Sequence, residues 1–426
     1  MDPPNRPTSE NAVREDAMSD DSAPGPLSGV TVLELGVFIA GPYATMQLAD
    51  MGARVIKIEP PGGDPMRAAG PFVDGESSPF IRLNRNKESI VLDLKSDAGR
   101  AGLHSLLAEA DVLVENMRPG ALTKMGFGYE DLREGHPDLI YASASGWGQD
   151  GPLAPLAGLD IMAQARSGLM SITGFPDQPP AKVGVPISDL STALYVALGI
   201  VSALYERRQS GQGQYLDVSL FESAVSLAVW EAGGYFGAGT VSRPNGSAHQ
   251  AQAPYQAIEV GDGFVTIGAN TPATWTRFCS AFDLADLEHH PKYAEPALRF
   301  ANREALIAVI EDRLRARTIA EVVEEMNRVG VPAAPINDYE QVFTDAHLQQ
   351  RNFFWASQHP RLGEVTQLGN PMRFSRSQMT HGPAGPSLGA DTDRVLAEFA
   401  GGTGTAGSDS DSAPAGTDTI TAEVRS

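Results

Sequence analysis

Two aspartates stand where strand-like segments give way to helical ones: Asp160 in AGLDIMAQA and Asp189 in VPISDLSTALY. In α/β proteins the carboxyl ends of parallel strands are where sites gather. A carboxylate placed there can act as nucleophile or general base. It can equally cap a helix N-terminus, a role Asp fills well. Local pattern leaves both residues and both roles open. The other reactive types offer less. Cys279, in TWTRFCSAFDL, reads as a small core filler rather than a catalytic thiol. His289 and His290 sit in a polar loop and read as solvated, so no metal site is expected. The chain has no GK[ST] phosphate loop and no Cys/His metal spacing.

The elements that must position these aspartates alternate. VTVLELG is a short apolar strand, AGPYATMQLADMGA a helix, and RVIKIEPP a second strand closed by prolines. SIVLDLK (strand), SDAGRAGLHSLLAEA (helix with Ser96 as N-cap), DVLVENM (strand) and DLIYASASGWG (strand into a Gly-rich loop) continue the pattern. After Asp189 come a long helix, LSTALYVALGIVSALYERRQ, the turn SGQGQ and the strand YLDVSLF. Such alternation predicts an α/β fold with a largely parallel sheet covered by helices. From about Gly246 the texture changes to a hairpin, APYQAIEVGDGFVTIGA, and three amphipathic helices, which predicts a smaller α+β unit. The expected division is a tail over 1–27, a large domain over 28–225, a linker and small domain over 226–340, a return to the large domain over 341–400, and a tail over 401–426. Both tails are acidic and low in apolar residues, which predicts disorder.

Composition narrows the function classes. The chain of 426 residues carries 53 acidic against 32 basic residues, a net charge of −21. That disfavours nucleic-acid or anionic-membrane binding, which needs a cationic surface. Only 6 of the basic residues are Lys. A salt-adapted cytosol and a GC-rich genome both account for this skew. A single Cys excludes an intrachain disulfide framework. The N-terminal stretch has no apolar core of a secretory signal, and the apolar run STALYVALGIVSALYERR reads as a buried helix, so a cytoplasmic protein is expected.

Residues 26 to 225 resemble CoA-transferase family III, which also contains the α-methylacyl-CoA racemases. The resemblance is carried by PLSGVTVLELGVFIAGPYATMQLADMGARVIKIEPPGGDPMR, NRNKESIVLDLK, ADVLVENMRPGALTKMGFGYEDL and ALYERRQSGQGQYLDVSLFESAV, in that order. It continues more weakly through the hairpin and PAAPINDYEQV. It implies an interlocked homodimer, each chain having a Rossmann-like large domain built from both ends of the sequence and a smaller domain between.

The resemblance also separates the two aspartates: Asp189 matches the catalytic nucleophile and Asp160 a position beside it. It implies CoA or acyl-CoA as substrate, with no tightly bound cofactor. CoA is expected along Phe38, Ile39 and Ala40, Leu92 and Lys95, and Asn116, Met117 and Arg118, with Lys124 matching a basic family position and Arg67 a further phosphate partner. Leu159 and Asp160 complete the set. Where some relatives have Arg the chain has Pro60, and the segment PNGSAHQAQAPY, with only Gly246, departs from the family's glycine-rich shielding loop. The racemases need a His before the Asp160 position; here Leu159 stands in GLD, and leucine exchanges no proton. A non-catalytic acyl-CoA binder is the third reading. The expected substrates are small dicarboxylic acids with succinyl-CoA.

Overall fold

The computed structural model describes residues 24–400. The expected disorder of the outer tails therefore lies outside the described residues, except near residue 27. There the chain is already placed: Leu27 donates its N–H to the Met51 carbonyl (2.9 Å) and packs on the core.

Six apolar segments form one parallel sheet. β1 (Thr31–Leu35), α1 (Ala40–Asp50) and β2 (Arg54–Glu59) make the opening unit, followed by α2 (Ser78–Leu83), β3 (Lys87–Val91), α3 (Asp97–Leu107), β4 (Val112–Glu115) and β5 (Ile140–Ser145). α4 (Asp160–Arg166), α5 (Ile187–Ser210) and β6 (Tyr215–Ser219) complete it. The strand order is β3-β2-β1-β4-β5-β6, every neighbouring pair parallel. This is the Rossmann order, with its switch point between β1 and β4. Helices cover both faces. α1 and α5 bury Ala44, Leu48, Val196 and Ile200 against one, while α3 buries Leu103, Leu106 and Leu107 against the other. Strands buried on both faces explain the near-continuous apolar runs.

Two elements differ from the sequence expectation. β3 begins at Lys87 and ends at Val91, so Leu92 and Lys95 fall in the turn that follows. The cause is local: Asp93 accepts the Lys95 N–H (3.0 Å) and Ser96 accepts that of Gly99 (3.0 Å), a turn feeding directly into a helix cap. α5 starts three residues before Leu190, which places Asp189 in its first turn. This helix is the one candidate membrane span by length and hydropathy among the described residues. One face of it lies in the core, while Leu194, Leu198 and Tyr205 on the other are exposed in the single chain.

Past α6 (Leu220–Ser226) and α7 (Val229–Ala238), the predicted hairpin is present as β7 (Tyr255–Val260) and β8 (Gly263–Gly268), antiparallel. With β9 (Ala333–Pro335) it makes a three-stranded sheet, whose own core holds Trp275, Phe278, Ile310 and the fully buried Cys279. Burial pushes the Cys279 thiol up to about 12, as fits a packing residue. The chain then forms a hairpin of β10 (Phe354–His359) and β11 (Gly363–Leu368) and comes back to the large sheet. There Asn370 donates to Gln47 (2.8 Å), and Val395 and Phe399 pack beside Leu103.

Candidate active site

The site is built on a buried charge cluster under the first strand ends. Glu34 and Lys57 face each other in the β1–β2 register. Lys57 Nζ reaches Glu34 Oε1 (2.7 Å), Asp64 Oδ2 (2.9 Å) and the Gly36 carbonyl (2.7 Å). Lys87 Nζ reaches the other Glu34 oxygen (2.8 Å) together with Pro42 O and Asn84 Oδ1 (2.9 Å each). The side chains of Glu34, Lys57 and Lys87 are fully buried. Burial would raise the Glu34 carboxyl, but the two ammonium groups outweigh it and hold it down at about 2. Burial carries Lys87 down to about 8 against the pull of Glu34. Charges this deep persist only when paired and hydrogen-bonded.

The cluster fixes the loop that leaves β1. Asp64 Oδ1 accepts the Phe38 N–H (3.3 Å), and Phe38 is held at φ +58, a left-handed conformation seldom used by aromatic residues. From the neighbouring strand, Asn116 accepts from Val37 N and donates to Val37 O, both at 2.8 Å. The loops leaving β1 and β4 are thus clasped at the switch point.

Beside that clasp lies a cleft of ≈610 Å³. Seven residues expected at the site line it: Phe38, Ile39, Ala40, Asn116, Leu159, Asp160 and Asp189. Asp160 does not cap its own helix. Its Oδ1 accepts the Ser188 N–H (2.9 Å) at the start of α5, and its Oδ2 accepts from Gln164 Nε2 (2.7 Å). Gln164 in turn accepts the Val183 N–H (2.9 Å), tying the loop before α5 to α4. The carboxylate of Asp189, two residues into α5, accepts no hydrogen bond from the described residues. Burial, then the neighbouring Asp160 carboxylate, push its carboxyl up from 3.8 to about 7. A carboxyl with free lone pairs, positioned at a helix N-terminus and lining a cleft, is equipped to attack an electrophile or move a proton.

The remaining expected CoA residues lie apart from this cleft. The Leu92 side chain is core, packed with Ile58 and Leu103, and Met117 is half-buried against the same cluster. Lys95 and Lys124 are exposed, with no ion pair among the described residues. Arg118, also exposed, lines a separate cavity of ≈240 Å³ with Glu115 and Tyr215. Arg67 departs from its expected role as a phosphate partner. Glu59 takes its Nη2 (2.7 Å) and Nε (2.8 Å), and the guanidinium lies 3.8 Å from the centre of the Phe80 ring. Its charge is neutralised inside the fold.

Lys182, Gly146 and Gly158 also line the cleft and were not singled out in the sequence. The reason for the glycines shows only in space: a Cβ on either would lie 2.8 Å from the other's Cα. The two loops can meet only without side chains. Lys182 had no signal beyond lying seven residues before Asp189 in a Pro/Gly-rich loop. The segment around Gly246 rests on the loop before α5 through a Gly246 N–H to Gly174 O bond (2.9 Å).

Comparison with known proteins places this architecture. The model of CoA-transferase family III matches residues 27–392. A succinyl-CoA:glutarate CoA-transferase of Mus musculus is 37% identical over 382 residues, 89% of this chain and 88% of its own. A succinyl-CoA:mesaconate CoA-transferase of Haloarcula hispanica is 38% identical over 396 residues, covering 89% and 98%. The crystal structure of a CAIB/BAIF family protein from Brucella suis superposes with a TM-score of 0.80 at 36% identity, over 88% of this chain and all of that one. With a match running through nearly the whole described fold, the chain belongs to CoA-transferase family III and is a CoA-transferase.

Proposed function

We propose that the enzyme moves CoA from succinyl-CoA to another small dicarboxylic acid, with Asp189 as covalent nucleophile. The observation that carries this reading is the Asp189 carboxyl itself: uncommitted, largely buried and facing the switch-point cleft. The similar proteins from mouse and Haloarcula, which bear the names of succinyl-CoA-dependent enzymes, support the substrate class.

In this mechanism an Asp189 oxygen attacks the donor thioester carbonyl, the C–S bond breaks, and CoA leaves as the thiolate. The resulting aspartyl–acyl anhydride is attacked at the aspartyl carbonyl by that thiolate, which releases the donor acid and leaves an aspartyl-CoA thioester. The acceptor carboxylate reverses the two steps and regenerates Asp189. Splitting the exchange this way conserves the thioester free energy. CoA is taken to run along Phe38–Ala40, Asn116 and Met117, with Lys95, Arg118 and Lys124 toward its phosphates and Leu92 offering backbone. A racemase would require a second proton carrier opposite Asp189; Leu159 supplies none.

The same reading takes the enzyme as an interlocked cytoplasmic homodimer, with the linker and small domain over 226–340 and the return to the large domain over 341–400. The exposed apolar residues of α5 and of α7, Trp230 and Phe236 among them, support a partner copy. Incubation with succinyl-CoA and glutarate or mesaconate, followed by separation of the CoA esters, tests the function. Formation of the acceptor's CoA ester is expected. Solvent deuterium entering the α-carbon without any CoA exchange would contradict it.

A further inference from the structure

A second cavity of ≈480 Å³ adjoins the Asp189 cleft, sharing Ile39 and Pro186 with it and reaching Leu190, the residue after the nucleophile. Its walls are mainly apolar, with Met46, Met66, Leu83 and Phe353 among them. Two guanidinium groups also line it, and they differ sharply. Arg85 is saturated by Asp50, through Nε to Oδ1 (2.9 Å) and Nη2 to Oδ2 (2.6 Å). Arg82, in the last turn of α2, donates only through Nη1, to Ser78 Oγ (2.6 Å) and Ser78 O (3.1 Å). Among the described residues its guanidinium has no carboxylate partner and no other hydrogen bond. Burial lowers its pKa, the mark of a charge partly removed from water without an anion to compensate it.

A guanidinium on an apolar wall, with its Nε and Nη2 uncommitted, is suited to a ligand with an apolar spacer and a terminal carboxylate. We propose that Arg82 binds the distal carboxylate of a dicarboxylic acid whose reacting carbonyl lies at Asp189, its methylene chain crossing the threshold between Ile39 and Pro186. This assignment rests on the transferase reading and makes Arg82 a specificity residue. Lys182 is the other cation near the nucleophile, but it is exposed and donates to Val183 O (3.1 Å). A solvated ammonium needs no ligand anion.

The test is single-turnover capture of CoA on Asp189 from glutaryl-CoA and from valeryl-CoA, which differ at the distal carboxylate. Wild type, Arg82→Leu and Arg82→Lys are compared. The wild type is expected to prefer glutaryl-CoA. Arg82→Leu should lose about a hundredfold in kcat/KM for glutaryl-CoA, about 2.7 kcal/mol of transition-state binding, while valeryl-CoA changes less than about threefold. Arg82→Lys should keep part of the preference, and it supplies the reading if the leucine variant does not fold. An equal loss for both donors would make Arg82 structural, or a partner of the second subunit, and overturn the assignment. An unchanged glutaryl-CoA rate overturns it too. A wild type that captures CoA without preferring glutaryl-CoA overturns the Arg82 assignment alone; a wild type that captures from neither donor overturns the transferase reading and the assignment with it.

Discussion

The rate of nucleophilic capture should follow the ionisation of Asp189, and pH is the simplest perturbation that tests it. Only the carboxylate attacks, yet burial and then Asp160 hold this carboxyl at about 7 instead of 3.8. A shift of this size is on the order of 4 kcal/mol against ionisation. A group titrating near 7 is roughly one-tenth ionised at pH 6 and nine-tenths at pH 8, so the capture rate should rise about tenfold across that interval. The assay is stopped-flow release of CoA from a saturating donor at constant ionic strength. Asp160→Asn should move the midpoint to lower pH, since it removes the second of the two causes. A rate that is flat from pH 5.5 to 8.5 would refute the reasoning, because it would mean that Asp189 is ionised as it would be in water. The linkage carries a sign for stability as well. With its folded pKa above its ordinary value, Asp189 contributes stability that is full below about 3.8 and is lost as pH rises through about 7.

Other perturbations follow from the same geometry. Lys57→Met removes contacts to Glu34, Asp64 and Gly36 and leaves a buried carboxylate under-compensated, so it should cost about 3–5 kcal/mol and lower the melting temperature markedly. A melt within a degree of wild type would contradict the cluster's role. Asn116→Ala releases both polar groups of Val37; losing the two bonds should cost about 1–3 kcal/mol and appear chiefly as a raised KM for acyl-CoA, measured in steady state. Gln164→Leu unties the loop before α5 from Asp160 and should reduce kcat, with the overall fold retained by circular dichroism.

The alternation of strands and helices was legible because strands buried on both faces leave continuous apolar runs, and five of the six strands of the large sheet stand where the sequence predicted, β3 alone being shifted toward its N-terminus. The two aspartates were legible as strand-to-helix carboxylates. Local pattern alone left them unseparated, since their different bonding depends on a contact between Asp160 and the Ser188 N–H, 28 residues apart. Glu34 and Lys57 escaped notice for a related reason. Inside VTVLELG and RVIKIEPP they read as the polar phase of ordinary strands, and only the register that pairs them shows a buried ion pair. Nothing local to Arg67 in the sequence shows that a glutamate eight residues earlier pairs with it. Arg82 lies on a short helix with no period to mark it. Its meaning comes from the apolar cavity around it, which is assembled by segments as distant as Ile39 and Phe353.

The most direct test of the account is mass spectrometry of the protein after incubation with succinyl-CoA and quenching with hydroxylamine or borohydride. The account predicts a modification confined to the peptide that carries Asp189, formed with release of succinate and absent from Asp189→Ala. Transfer that persists in Asp189→Ala, or a modification on any other residue, would contradict it.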